Sequence, residues 1–179
     1  MNKKAMLGAC LGTVVEYYDY GLYGFAAEII RQNFFPHIDP ALGLVWSYGI
    51  YACGYISKPF GSYIFSSIAD KYGRSLSLSF TIIGMAIPTF LIGLIPSYAN
   101  IGIAAPIAVI LCRFIQGLFA GAEYDNAVIY VMEHLPSHWK SFGSSLTRAT
   151  GVLGLVLGNL MIFMCTNNHE NLNNLWRIP

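Results

Sequence analysis

Apolar residues run through this chain in five long blocks separated by short polar breaks. The blocks are about Leu7–Phe34, Leu42–Ala69, Leu76–Ile95, Ile101–Met132 and Phe142–Cys165. A helix rises about 1.5 Å per residue, so about 20 residues cross a hydrocarbon core of ~30 Å, and each block predicts a membrane-spanning helix. The first and fourth exceed that length, which predicts tilt or extension into the interface. The breaks carry turn chemistry: Pro36 and Pro40, Asp70–Arg74, Pro96–Asn100 and Pro136–Lys140. The run from Ser66 to Arg74 is the most telling break. It is a short charged turn wedged between two membrane-length blocks, and it predicts a helical hairpin.

Composition agrees. Of 179 residues, 55% are hydrophobic and only 11% charged, with a mean hydropathy of +0.53. A soluble domain carries about 25% charged residues, and this chain lacks the polar side chains to cover a water-facing surface. The predicted class is an all-α membrane protein whose first partner is the lipid bilayer. The net charge of +1, without a basic tail, gives no footprint for nucleic acid. Cys10, Cys53, Cys112 and Cys165 lie far apart inside apolar blocks and form no CxxC pair, so they read as inert buried thiols. The start, Met1-Asn2-Lys3-Lys4, has the charge of a signal peptide. Glu16, Asp19 and the tyrosines at 17, 18, 20 and 23 make the following block a retained helix instead.

Lysine and arginine alternate between the breaks. Lys3 and Lys4 precede the first helix, Lys71 and Arg74 follow the second, and Lys140 follows the fourth. That bias places the N-terminus and these two loops in the cytoplasm and the segment from Thr166 to Pro179 on the far side. Arg31, His37 and Asp39 at the first outer loop are a weak exception. Gly8/Gly12, Gly117/Gly121 and Gly154/Gly158, extended by Gly151, have the spacing of close helix contacts in lipid. Pro88 and Pro106 lie within the third and fourth helices, where neighbours can satisfy the carbonyls they free. Trp46, Tyr98, Trp139 and Trp176 lie near expected interfaces.

Seven charged residues inside the blocks are candidates for function: Glu16, Asp19, Lys58, Arg113, Glu123, Asp125 and Arg148. Each costs about 2.5–3.5 kcal/mol on insertion scales, so each is expected to face a partner or a solvated path through the bundle. Glu16 and Asp19 share a helix face, an arrangement suited to a proton-coupled step. Lys58 either pairs with one of them or snorkels to the interface. Arg113, Gln116, Ala120 and Glu123 follow one helical surface. Arg113 there suits a solute carboxylate, an internal acid or a helix-locking ion pair. Arg148, about two turns into the fifth helix, is the best candidate for a cation facing a cavity, with Thr147 and Thr150 beside it. The four histidines lie in loops or near helix ends without metal-site spacing. No nucleophile elbow, H-E-x-x-H or phosphate-binding loop is present, so no enzyme is predicted.

Three motifs in order carry a family resemblance. Glu16-Tyr17-Tyr18-Asp19-Tyr20-Gly21-Leu22-Tyr23-Gly24 is similar to the first helix of the metabolite:proton symporter branch of the major facilitator superfamily. Asp70, Lys71, Gly73 and Arg74 match the superfamily's loop between its second and third helices, which this chain departs from at Ser66 and Ser75. Arg113-Phe114-Ile115-Gln116-Gly117, Gly121-Ala122-Glu123-Tyr124 and Tyr130 through Pro136 resemble the fourth helix, with Ala122 in place of a usual Gly. Lys58-Pro59 occupies the place of a usual R-P, and Trp176-Arg177-Ile178-Pro179 resembles the entry to a sixth helix. The branch includes proline/betaine, citrate, α-ketoglutarate and shikimate permeases, and the likeness is nearest to the proline/betaine members.

The resemblance implies a twelve-helix fold with a central cavity and alternating access, of which residues 1–179 hold five helices and a loop, 166–179, leading to a sixth. It implies proton-driven symport of a small carboxylate-bearing or zwitterionic solute across a bacterial inner membrane, with no cofactor. Glu16, Asp19, Lys58, Arg113, Gln116, Glu123 and Arg148 would line the solute and proton path. Asp70, Lys71, Gly73, Arg74, Glu133 and Lys140 would form a cytoplasmic gate. Such transporters are about twice this length, so residues 1–179 are expected to be either a truncated product or one part that a second polypeptide completes. The alternative is a non-transporting remnant that only associates with other membrane helices.

Overall fold

A computed structural model of the chain describes the backbone of residues 3–167 and the side chains of residues 7–164. Expectations on the Lys3 and Lys4 side chains, on Cys165, Trp176 and His169, and on the segment leading to a sixth helix lie outside the described residues. Within them the chain is helical, and no strand occurs.

The first block is helix α1 (Lys3–Phe25) continued by α2 (Ala27–Phe34). The two form one kinked rod, because the hydrogen bonds of Ala26 N–H to Leu22 O and of Ile30 N–H to Ala26 O, both 2.9 Å, carry the ladder across the junction. Helix α3 (Pro40–Tyr72) opens with Pro40 in its first turn, and the Asp39 carboxylate accepts from the N–H groups of Ala41 (3.0 Å) and Leu42 (3.4 Å). Those amides have no partner within the helix, so this cap fixes the start.

At the far end of α3 only Gly73 leaves the helix. Its φ of +99° is a backbone state that side chains with a β-carbon rarely adopt, and α4 (Arg74–Leu94) begins at the next residue. The charged turn is therefore tighter than the sequence implies: Asp70 and Lys71 form the last turn of α3 and Arg74 the first of α4.

The fourth block differs most from expectation. A short turn, α5 (Tyr98–Ile101), is separated from α6 (Ala104–Ala120) by Gly102 at φ +60°. The run then breaks again at Gly121–Ala122 before α7 (Glu123–Glu133). Pro106 is thus in the first turn of α6, where its missing N–H leaves no gap in the ladder. A 3₁₀ turn, Ser137–Trp139, leads into α8 (Lys140–Asn167).

Helix α8 packs along α1, and α6 along α3 and α4, while α7 touches α1, α4 and α8. Glycines set both long contacts. A β-carbon at Gly154 would collide with Val14 O and Tyr18 N of α1, and one at Gly158 with Tyr18 O. Gly117 lies on Gly54 and Ser57, Gly121 on Lys58 O, and Gly61 on Leu118 O. Backbones that approach this closely gain dispersion contacts where lipid offers no hydrophobic driving force. Gly8 is the exception: nothing lies within 4 Å of a β-carbon there, so of the Gly8/Gly12 pair only Gly12, against Ile82 and Glu123, is a close contact.

The outer surface is apolar. Phe90, Ile83, Val152, Val156 and Phe163 are all exposed. By length and composition, Arg74–Leu94, Ala104–Glu133 and Ser137–Met164 are the described stretches apolar enough to cross a membrane. The rods made by α1–α2 and by α3 are diluted by Tyr, Ser, Gly and by Glu16, Asp19 and Lys58. Five is thus a count of rods, and three of them meet the apolar criterion.

The glycine contacts yield a test. Gly154→Val forces α8 away from α1 and destabilises the bundle by about 1–3 kcal/mol, the range for overpacking. Gly8→Ala is neutral or stabilising by up to about 1 kcal/mol, from helix propensity alone. Thermal unfolding in detergent measures both, and equal effects at the two positions would contradict the packing assigned here.

Candidate functional site

Two ion pairs tie α1 to the helices around it. Asp19 Oδ2 accepts from Arg113 Nη1 of α6 at 2.6 Å, with side chains 13% and 5% exposed. Glu16 Oε1 accepts from Lys58 Nζ of α3 at 3.1 Å, with Glu16 1% and Lys58 29% exposed. Lys58 therefore pairs, and Arg113 holds an internal acid. Each pair joins residues far apart in sequence, so each forms only when the bundle assembles.

Aromatic rings flank both cations. The Arg113 guanidinium carbon lies 3.7 Å from the centroid of the Tyr23 ring. Tyr23 stacks on Tyr51 at 5.7 Å and 9°. Lys58 Nζ lies 4.2 Å from the Tyr20 centroid and 5.3 Å from that of Tyr55. These contacts add cation–π attraction to each salt bridge. The ring positions recur at helical spacing around the charges: Glu16, Tyr20 and Tyr23 on α1, and Tyr51, Tyr55 and Lys58 on α3. Sequence reasoning used the α1 tyrosines against a signal peptide and in the first-helix motif, without placing them beside a cation, and passed over those of α3. Their spacing of three and four residues from a buried charge was the available signal.

Gln116 joins neither pair and donates Nε2–H to Thr89 Oγ1 of α4 at 2.6 Å, while Thr89 itself donates to Met85 O at 2.8 Å. Glu123, at the first turn of α7, is 1% exposed, and neither carboxyl oxygen has a hydrogen-bond partner among the described residues. A β-carbon at Gly12 would collide with its Oε1, so glycine at that position leaves room for the carboxyl. Because the helix breaks at Gly121–Ala122, Arg113 and Glu123 do not share the one continuous surface that the sequence suggested. Arg148 is exposed on α8, its guanidinium 5.9 Å from the Tyr124 ring. Asp125 is exposed as well.

A cavity of about 70 Å³ lies beside the Arg113–Asp19 pair, with Tyr18, Tyr23, Thr89 and Val109 among its lining. It is large enough for several waters or a small polar group against one acid and one base.

A separate cluster forms where α3 turns into α4. Arg74 donates Nε–H to Glu133 Oε1 at 2.9 Å and places Nη2 3.6 Å from Asp70 Oδ1. Arg74 also reaches Asn126 Oδ1 at 3.4 Å, and Asn126 donates to Ser77 Oγ at 3.2 Å. Of the six residues singled out for this cluster, Asp70, Arg74 and Glu133 meet and Gly73 makes the turn. Lys71 lies over its neighbour Tyr72 instead, at 5.2 Å. Lys140 opens α8 and makes no ion pair among the described residues. Asn126 and Ser77, the buried amide and hydroxyl that seat Arg74, were missed. Neither type carries a charge that would mark it in an apolar run.

The sequence and the fold both match known transporters. Residues 5–179 match the family described as sugar (and other) transporter. A proline/betaine transporter of Salmonella typhimurium is 39% identical over 99% of this chain and 36% of its own length. The shikimate transporter of Escherichia coli K12 is 36% identical over 99% of this chain and 41% of its own length. The fold superposes on the inward-open xylose transporter XylE of E. coli with a TM-score of 0.82, covering 97% of this chain and 43% of that one. At 16% identity that likeness is of fold alone. The chain spans about two fifths of the length of these relatives. The family's members are membrane transporters, not enzymes. This chain belongs to the sugar (and other) transporter family of the major facilitator superfamily.

Proposed function

We propose that this chain supplies solute-path helices of a secondary transporter that carries a small carboxylate-bearing solute, with protons, across a bacterial inner membrane. The Arg113–Asp19 pair carries the reading: an acid and a base from two helices, nearly out of solvent, held in a bundle with an apolar exterior. Protonation of Asp19 cancels one charge and frees a planar guanidinium fork, which a solute carboxylate can occupy. Loss of the solute restores the pair and expels the proton. Proline, betaine and shikimate, the solutes in the relatives' names, each carry a carboxylate.

Glu16 with Lys58, and Glu123 behind Gly12, extend the set of carboxyls along α1 that can take part in proton transfer. Burying an unpaired carboxylate is costly, which suits Glu123 to a stage of the cycle in which it carries a proton. Arg148, exposed beside Tyr124, is a second cation for the solute. The reading applies to this chain together with the remaining length its relatives carry, as one polypeptide or two.

The Arg74 cluster acts as the cytoplasmic latch in this proposal, with the N-terminus on the same side. Asp70 and Glu133 are 72% and 53% exposed. A pair of that exposure is worth about 0.2–1 kcal/mol, weak enough to open in each cycle.

Vesicles holding the complete transporter test the coupling. An inside-alkaline pH gradient drives accumulation of labelled proline, betaine or shikimate. Asp19→Asn lowers that accumulation about 5- to 150-fold, the usual span of a coupling free energy, while exchange at equal concentrations persists. Arg113→Ala and Arg148→Ala abolish both. Accumulation that ignores the pH gradient would overturn the proton step.

For the latch, a Ser77→Cys reporter beneath Arg74 is labelled from the cytoplasmic side with a membrane-impermeant thiol reagent. Arg74→Ala raises the labelling rate by up to about fivefold, the most that a part-exposed pair can shift. An unchanged rate would place the cluster outside the gate.

A further inference from the structure

The transport reading gives the Tyr20 and Tyr55 rings no role, although they are arranged around a cation. Their centroids are 5.2 Å apart with planes tilted by 34°, and Lys58 Nζ lies within cation–π range of both. Glu16 closes the back of this box, 1% exposed, with one oxygen on Lys58 and the other without a hydrogen-bond partner among the described residues. The walls are held by further contacts. Tyr55 Oη hydrogen-bonds Tyr51 Oη at 3.0 Å, and Tyr51 stacks on Tyr23. The mouth is open, since Tyr55 is 47% exposed.

We propose that this box is the binding site for the positively charged head of a zwitterionic solute, and that Lys58 is its tethered occupant. The proposal rests on the transport reading and narrows its solute class. Two ring faces and a carboxylate form a site for any cation, and an alkylated ammonium binds it better than a lysine that water can solvate. Lys58 is already 29% exposed, and its flexible stem lets the ammonium swing outward to the open face. One cation leaves as another enters, so the exchange creates no new buried charge.

The solute's carboxylate has a matching end. Tyr17 meets Tyr124 edge-on at 6.3 Å, and Arg148 lies 5.9 Å from Tyr124. Tyr17 itself directly follows Glu16 in α1. Tyr17 and Tyr124 thus stand between the acid of the cation box and the exposed guanidinium of Arg148, the second cation for the solute, a charge order that reverses that of a zwitterion.

The test compares ligands on the transporter in nanodiscs, using betaine, tetramethylammonium and tert-butylacetate, the carboxylate with betaine's shape but carbon in place of the charged nitrogen. Betaine binds at least about tenfold tighter than tert-butylacetate, the effect of a desolvated cation–π contact. Lys58→Met removes the competitor and tightens tetramethylammonium binding. Tyr55→Leu, at the exposed rim where folding is not at stake, weakens it, and Tyr55→Phe retains it. Equal binding of betaine and tert-butylacetate, or weaker tetramethylammonium binding in Lys58→Met, overturns the box. If proton-driven uptake of carboxylates persists in that case, the transport reading stands without it. If tetramethylammonium binds as expected and no carboxylate is moved, the box stands and the transport reading falls.

Discussion

A charge in hydrocarbon has nowhere to go except to an opposite charge, and that constraint organises the middle of this bundle. Asp19 and Glu16 on α1 would each be costly alone. Arg113 on α6 and Lys58 on α3 offset the cost, at 2.6 and 3.1 Å. Because the partners come from three rods, the pairs specify which helices meet and at what height. Burial makes each pair an all-or-none element: removing one partner strands the other in a medium that cannot solvate it. In the proposed transport reading, such a site would answer a proton or a carboxylate by changing partners, not by small adjustment.

The rods that carry these charges are held by a different kind of contact. Gly154 and Gly158 bring α8 against the backbone of α1, and Gly54, Gly61, Gly117 and Gly121 do the same for α3 and α6. Such contacts are short and unyielding, so the charged side chains sit on stiff supports. The contrast with the Arg74 cluster is one of exposure. There the ion pairs are partly in water and weak, and Gly73 forms a turn with almost no slack. The interior is stiff and the Arg74 cluster soft, which is the distribution that the proposed latch would need in a rocking mechanism.

Much of this was legible in the sequence because it depends on long-range averages. Five apolar rods, the hairpin at Gly73 and the list of intramembrane charges follow from run length and from the rarity of ions in such runs. Pairing was only half legible. Helical spacing puts Glu16 and Asp19 on one face, yet which of them meets Lys58 and which meets Arg113 depends on how α3 and α6 are placed against α1. The break at Gly121–Ala122 was hidden because both residues fit an apolar helix. Only the glycine's contact with Lys58 O and Ser62 N of α3 marks the spot. Asn126 and Ser77 were hidden for a related reason, since an uncharged polar residue in an apolar run gives no sign of what it binds.

The break has a consequence for Glu123. In an unbroken helix, Arg113, Gln116 and Glu123 would follow one surface, with Glu123 about 15 Å beyond Arg113 along the axis. The change of direction at Ala122 (φ −110°, ψ −4°) instead starts α7 at Glu123 and sets its carboxyl against Gly12 of α1. There the acid lies within the field of Glu16 and Lys58. Two carboxyls then share the influence of one ammonium, and Lys58 cannot neutralise both. Any displacement of Lys58 is felt by Glu16 through a direct hydrogen bond and by Glu123 through space. In the proposed reading the helix break links the occupant of the tyrosine box to two acids at once, so that cation exchange and proton transfer would be joined in a single local event.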